Sequence, residues 1–178
     1  GNRQRNSMRH LMILRHAETE PAGQGPDFDR ALSGRGPADA RATGAYMKTH
    51  GFAPDFAAIS PARRAVETWE IVAAELAAAP SAIFDPRIYE ASDNTLLAVV
   101  HTIPRPCKSA LLIGHNPGFA LLANLLAGSG NRLARERLAE KFPAAALAVI
   151  DFDIKDWKDA LPGGGRLREF VTPAKLKS

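Results

Sequence analysis

Short apolar runs along this chain alternate with longer stretches in which apolar residues recur every three to four positions. Residues 10–14 form the first run and read as a strand. After a loop rich in glycine and proline (residues 21–26), Ser33 is placed to cap a helix whose positions Ala38, Ala42, Ala45 and Tyr46 share a face, and Gly51 stops it. Phe56–Ile59 reads as a second strand. Pro61 then opens a helix carrying Ala65, Trp69, Val72 and Leu76 at i, i+4, i+7 and i+11. A short third strand at Ala82–Phe84 leads through a turn region (85–92) to a helix with Leu96, Leu97 and Val100. Residues 110–113 are a fourth strand, and the break at 114–117 is followed by a helical stripe of Phe119, Leu122, Ala123 and Leu126 that ends at 128–130. A charged helix at 133–141, a strand at 146–152, a turn at 162–165 and a last strand near 167–171 complete the pattern. Strands alternating with helices imply an α/β fold: a three-layer α/β/α sandwich around a mainly parallel central sheet.

Length and composition narrow the class. The chain has 178 residues, 46% of them hydrophobic and 24% charged, the balance of a globular domain and not of a disordered or fibrous chain. Residues 8–178 read as one domain, with residues 1–7 as a tag remnant or unstructured tail. No apolar run approaches the ~18 residues of a membrane span, and the start lacks the apolar core of a signal peptide. One cysteine, Cys107, allows no disulfide within the chain, which points to a reducing, cytoplasmic setting. The net charge of +4 favours anionic partners without choosing among them.

Candidate chemistry collects in three segments, each directly after a strand. Arg15 and His16 follow the first, residues 60–64 (Ser-Pro-Ala-Arg-Arg) the second, and residues 114–117 (Gly-His-Asn-Pro) the fourth. Loops at the carboxyl ends of parallel strands share one rim, where ligands of open α/β sheets bind. Two histidines and two arginines are therefore expected to converge, with the helices opening near Pro61 and Pro117 aiming their positive ends at the same place. Such a pocket suits a phosphoryl group. Guanidinium forks grip its oxygens, and a neutral imidazole can attack phosphorus to give a phosphohistidine that water later cleaves. Neighbouring arginines would keep that imidazole neutral, and the scheme needs no metal or other cofactor.

These residues resemble the histidine phosphatase superfamily, once called the phosphoglycerate mutase-like group, and within it the short SixA-type phosphohistidine phosphatases. The likeness rests on residues 14–18 (Leu-Arg-His-Ala-Glu), 60–68 (Ser-Pro-Ala-Arg-Arg-Ala-Val-Glu-Thr), 88–92 (Ile-Tyr-Glu-Ala-Ser) and 113–117 (Ile-Gly-His-Asn-Pro). It implies a phosphoglycerate mutase-like fold and a metal-independent phosphatase. In it His16 is the nucleophile, Arg15 and Arg64 bind the phosphoryl oxygens, and His115 completes the phosphate-binding set; Arg63 does not align. Glu90 lies where many members carry a proton donor, and a loop or capping carboxylate is the other reading of it. The chain departs from the family in Ala17, where glycine is usual, and in Glu67, where glutamine is common.

A short chain with few insertions implies an open rim, suited to a phosphohistidine displayed on a protein. The alternatives are a small-molecule phosphomonoesterase of the same superfamily and a non-catalytic phosphate- or phosphoprotein-binding module. The chain has no basic tract interleaved with aromatics, so specific nucleic-acid binding is not expected. His10, His50 and His101 sit in no motif and read as structural. His16, Glu18 and Glu20 alternate without the spacing of a metal site. The sequence leaves the oligomeric state and the signalling partner open.

Overall fold

Residue alternation in the first strand already requires a sheet buried on both faces. In the computed structural model, which describes residues 8–177, Leu11 and Ile13 enter one core cluster while Met12 and Leu14 enter another. The segment 1–7 lies outside the described residues. In chain order the elements are β1 (Met8–Arg15), α1 (Gly36–Thr49), β2 (Phe56–Ile59), α2 (Arg63–Glu75), β3 (Ala82–Phe84), α3 (Asp93–His101) and β4 (Ser109–Gly114). They continue with α4 (Gly118–Leu126), β5 (Ala127–Gly130), α5 (Arg132–Glu140), β6 (Leu147–Asp153), β7 (Gly165–Val171) and α6 (Pro173–Leu176). Single 3-10 turns occur at Asp27–Asp29, Pro86–Ile88 and Trp157–Asp159.

The sheet order is β3-β2-β4-β1-β6-β7-β5. Pairs β2–β3, β2–β4, β1–β4 and β5–β7 are parallel, and β6 runs against both β1 and β7. Only β6 is reversed, so the expected mainly parallel sheet is present. Met47 of α1 and Ala65, Trp69 and Val72 of α2 pack on one face, where Met12, Leu14, Leu111 and Ile113 point. Leu96 and Val100 of α3, Phe119 and Leu122 of α4, and Leu138 of α5 cover the other. These are the three layers.

Local details differ from the sequence pattern where small residues carry it. Helix α1 begins at Gly36, not after Ser33, whose carbonyl accepts the Gly36 N–H in a preceding turn. Its buried positions are Gly36, Asp39, Ala40, Thr43, Gly44 and Met47, while Ala38 and Ala45 face solvent. Alanine is too weakly hydrophobic to fix a face by itself, so packing decided: the Thr43 hydroxyl donates to the Ala145 carbonyl, 3.0 Å. A Cβ at Gly44 would lie 3.1 Å from the Cα of Val72, so glycine lets α1 approach α2 closely. Residues 128–130 do not simply end a helix; they belong to β5, an edge strand paired with β7. The terminal α6, capped by Thr172, has no clear periodic signal in so short a stretch. Among the described residues, no helix is long and apolar enough to cross a membrane.

Candidate active site

Strands β2, β4 and β1 are neighbours in the sheet and parallel, so their carboxyl ends open on one rim. Arg15 ends β1, and the next residue, His16, donates its backbone N–H to the Gly114 carbonyl at the end of β4, 3.0 Å. Ser60, just past β2, donates its N–H to the Ile113 carbonyl, 2.9 Å. These ladder-end bonds bring the three segments together. The His16 and His115 ring centroids are 5.2 Å apart, and His16, Arg64 and His115 are each less than a tenth exposed. Arg15 is held by the Phe142 carbonyl on Nη1, 3.2 Å, and the Asn116 amide donates to the same oxygen, 2.7 Å.

The ring nitrogens of His16 are distinguishable. Its Nδ1 lies 2.8 Å from the Ala17 carbonyl oxygen, which can only accept, so the proton sits on Nδ1 and the lone pair on Nε2. The pKa of His16 is lowered to about 4, chiefly by burial and further by Arg15, Arg64 and Arg30, against the opposing hydrogen bond to Ala17. The expectation that arginines keep this imidazole neutral therefore holds only in second place: desolvation dominates.

His115 is lowered further, to about 3, first by burial and then by His16 and Arg64. Its Nε2 is 2.7 Å from Ser60 Oγ. That hydroxyl also accepts the Ala62 N–H, 3.3 Å, and with a second lone pair and its own hydrogen it can either accept from or donate to His115 Nε2. The other ring nitrogen of His115, Nδ1, is buried with no partner among the described residues. Nε of Arg15 and of Arg64 are buried and unpartnered in the same way. Two unpartnered guanidinium N–H groups and an unpartnered imidazole nitrogen beside the neutral His16 ring make a cradle for an anion.

The residues that support the cradle were largely missed in the sequence. Thr68 on α2 accepts the Ala17 N–H, 3.0 Å, and donates to the Arg64 carbonyl, 2.8 Å, coupling the His16 segment to the helix that bears Arg64. Ala17 itself is fully buried against Ala40 and Ala145, so its methyl group fills a small apolar cluster. Glu67 accepts the Leu32 N–H, 2.9 Å, anchoring the loop that crosses the rim. Asp27 in that loop meets Arg64, Arg30 and the Tyr89 hydroxyl, and the Tyr89 ring stands edge-on to His115, with centroids 5.5 Å apart. No periodic or motif signal marks Asp27. Ser60, Thr68 and Tyr89 lie inside the motif segments, where only their position hinted at a role.

Glu90 follows Tyr89 on the rim, exposed and with a left-handed backbone, φ 52°. The histidines outside the motifs have structural partners: His10 with Asp151 across β1 and β6, His50 with the Tyr46 carbonyl, His101 with the Ala160 carbonyl. A separate cleft of about 430 Å3, lined by Glu18, Asp39, Arg137 and Lys177 among others, contains none of the four cradle residues. Among the described residues, no group of three or more His, Cys, Asp or Glu side chains could hold a metal ion.

Comparison with known proteins bears on this geometry directly. The sequence profile of the histidine phosphatase superfamily (branch 1) matches residues 11–95, which include His16, Arg64 and Glu90. The chain belongs to the histidine phosphatase superfamily. It is a phosphatase, hence a hydrolase. An uncharacterized protein of Mycobacterium tuberculosis (strain H37Rv) is 32% identical over 162 residues, 90% of this chain and 99% of the relative. A structure from Nakamurella multipartitia, of a protein assigned as the phosphohistidine phosphatase SixA, superposes with a TM-score of 0.80 at 26% identity, covering 93% of this chain and 96% of that one. The fold reaches further. A Plasmodium falciparum phosphoglycerate mutase matches with a TM-score of 0.59 at 20% identity, over 92% of this chain and 91% of its own. The phosphoglycerate mutase-like architecture expected from the motifs is thus the observed one.

Proposed function

We propose that this histidine phosphatase is a metal-independent phosphohistidine phosphatase that acts on a phosphoprotein through a phosphohistidine at His16. The observation that carries the reading is the His16 tautomer: Nδ1–H is fixed on the Ala17 carbonyl, so the lone pair on Nε2 belongs to the cradle. In the first step Nε2 attacks phosphorus and the substrate P–N bond breaks, its electron pair returning to the leaving ring. A phosphohistidine ring protonated on its other nitrogen leaves as neutral imidazole and needs little help from an enzymic acid. Arg15, Arg64 and the Nδ1–H of His115 meet the charge on the phosphoryl oxygens. Water then attacks phosphorus, the P–Nε2 bond breaks, and inorganic phosphate departs.

An exposed Glu90 on the rim accords with a leaving group that makes slight demand on an acid. The likeness to the Nakamurella structure supports the phosphohistidine class, and the single Cys107 supports a cytoplasmic setting.

The test is phosphate release from a phosphohistidine peptide beside a panel of phosphoesters, with chelator present. The wild type is expected to prefer phosphohistidine, and His16→Ala to lose at least about 10³-fold in turnover. Turnover of esters alone would move the protein to the small-molecule phosphomonoesterases. Tight phosphopeptide binding with no release would make it a binding module.

A further inference from the structure

Arg64 reaches the cradle with its guanidinium already engaged. Nη1 donates to the backbone carbonyl of Asp27, 2.8 Å, and Nη2 to the carboxylate of the same residue at Oδ2, 3.0 Å. One residue thus clasps both terminal nitrogens. A guanidinium has five N–H groups in a rigid plane, so this two-bond clasp fixes the plane and leaves three N–H groups, one of them on Nε, which is buried and unpartnered. Asp27 is itself held. Arg30 donates from Nε to Oδ1, 2.9 Å, while its Nη1 ties the loop to Thr19 and the Glu20 carbonyl. The Tyr89 hydroxyl donates to Oδ2, 2.9 Å. The Arg64 side chain is 6% exposed and that of Asp27 46%, so the carboxylate lies nearer solvent than the guanidinium it holds.

From this we infer that Asp27 is a positioning residue for phosphoryl binding: it grips the far end of Arg64, so that the Nε edge is held in place for the phosphoryl oxygens. The inference rests on the cradle reading above. A fork held in place before the anion arrives does not lose rotational freedom on binding, which is the general advantage of preorganisation. Charge counting alone gives the opposite expectation. A carboxylate beside an anion site repels the anion, and a carboxylate on the phosphate-binding arginine competes for it, so on either ground removing Asp27 would tighten phosphate binding. The sign of the effect therefore separates a positioner from a plug.

The experiment is calorimetric titration of the folded protein with inorganic phosphate, for wild type, Asp27→Ala, Asp27→Asn, Arg64→Ala and the double variant Asp27→Ala/Arg64→Ala. Asp27→Ala is expected to weaken phosphate binding about tenfold, on the scale of one charge-assisted contact. Both Asp27 variants keep the backbone carbonyl for Nη1, but Asp27→Asn also keeps a side-chain acceptor for Nη2, so it should fall between wild type and Asp27→Ala; it also serves if Asp27→Ala does not fold. In the Arg64→Ala background, loss of Asp27 should change binding by less than about twofold, because its effect runs through Arg64. A merely structural role for Asp27 would weaken binding equally in both backgrounds and overturn the inference. So would unchanged or tighter binding by Asp27→Ala while Arg64→Ala loses phosphate, and the cradle reading would then survive. Wild-type affinity in Arg64→Ala would overturn both.

Discussion

At the scale of single residues, the chemistry turns on which ring nitrogens carry protons, and backbone and hydroxyl partners decide that. His16 is set by a carbonyl, which can only accept, while His115 Nε2 meets the Ser60 hydroxyl, which can donate or accept. The proposed role of His115 as an Nδ1–H donor requires Ser60 Oγ to donate to Nε2; Ser60→Ala then removes that donor and lets the proton move to Nε2, which takes the Nδ1–H away from the cradle. Nitrogen NMR of histidine-labelled protein should show His115 protonated on Nδ1 in the wild type and shifted toward Nε2 in the variant. Turnover of Ser60→Ala should fall about 10- to 100-fold, the usual cost of losing an orienting partner. A wild-type His115 protonated on Nε2 alone would defeat this assignment. Arg15, His16, Arg64 and His115 were legible because motif position names them. Asp27 was not, since the partners that tie it to the site, Arg64 and Tyr89, lie 37 and 62 residues away.

At the scale of elements, strand ends place the site and helix packing keeps them there. Gly114 closes β4 immediately before His115, under the ring of Phe119 from α4. A Cβ at Gly114 would lie 2.5 Å from Phe119 Cε1 and 2.8 Å from Ile88 Cγ2. Both neighbours are fully or almost fully buried and have little room to yield. Gly114→Ala is therefore expected to lower unfolding free energy by about 1–3 kcal/mol, read by urea titration. It should also reduce turnover by displacing the start of the His115 segment. All the strands except β5, and the apolar helices α2, α3 and α4, could be read from the sequence pattern. Helix α1 could not be oriented, because its buried face is built from Gly36, Ala40, Thr43 and Gly44, residues whose side chains carry little hydrophobic signal.

At the scale of the whole molecule, two buried neutral histidines couple stability to pH. Folded His16 and His115 have pKa values of about 4 and about 3, against an ordinary 6.5. Between roughly pH 6.5 and pH 4 the unfolded chain therefore binds more protons than the folded one, and stability falls as pH drops through that window. The melting temperature of wild type should decline from pH 7 to pH 4.5, and His16→Asn should flatten the decline. An equally steep decline in that variant would contradict a buried neutral His16. Activity should follow the folded value: the acid limb of kcat/KM should lie well below pH 6.5, because His16, the proposed nucleophile, stays unprotonated until about pH 4.

The order of the strands and helices other than β5 and α6, and the three loops that meet, were legible in the sequence from local hydrophobic period and from the rule that parallel strands share a rim. The choice of Arg15, His16, Arg64 and His115 within those loops came from the resemblance of their motifs to a known family. The reversal of β6, the pairing of β5 with β7, the proton position on His16, the Ser60 partner of His115, and the clasp of Asp27 on Arg64 were decided only in the tertiary structure. Each of these depends on which distant backbone or side-chain group fills a bond of fixed geometry, and no local pattern along the chain encodes that.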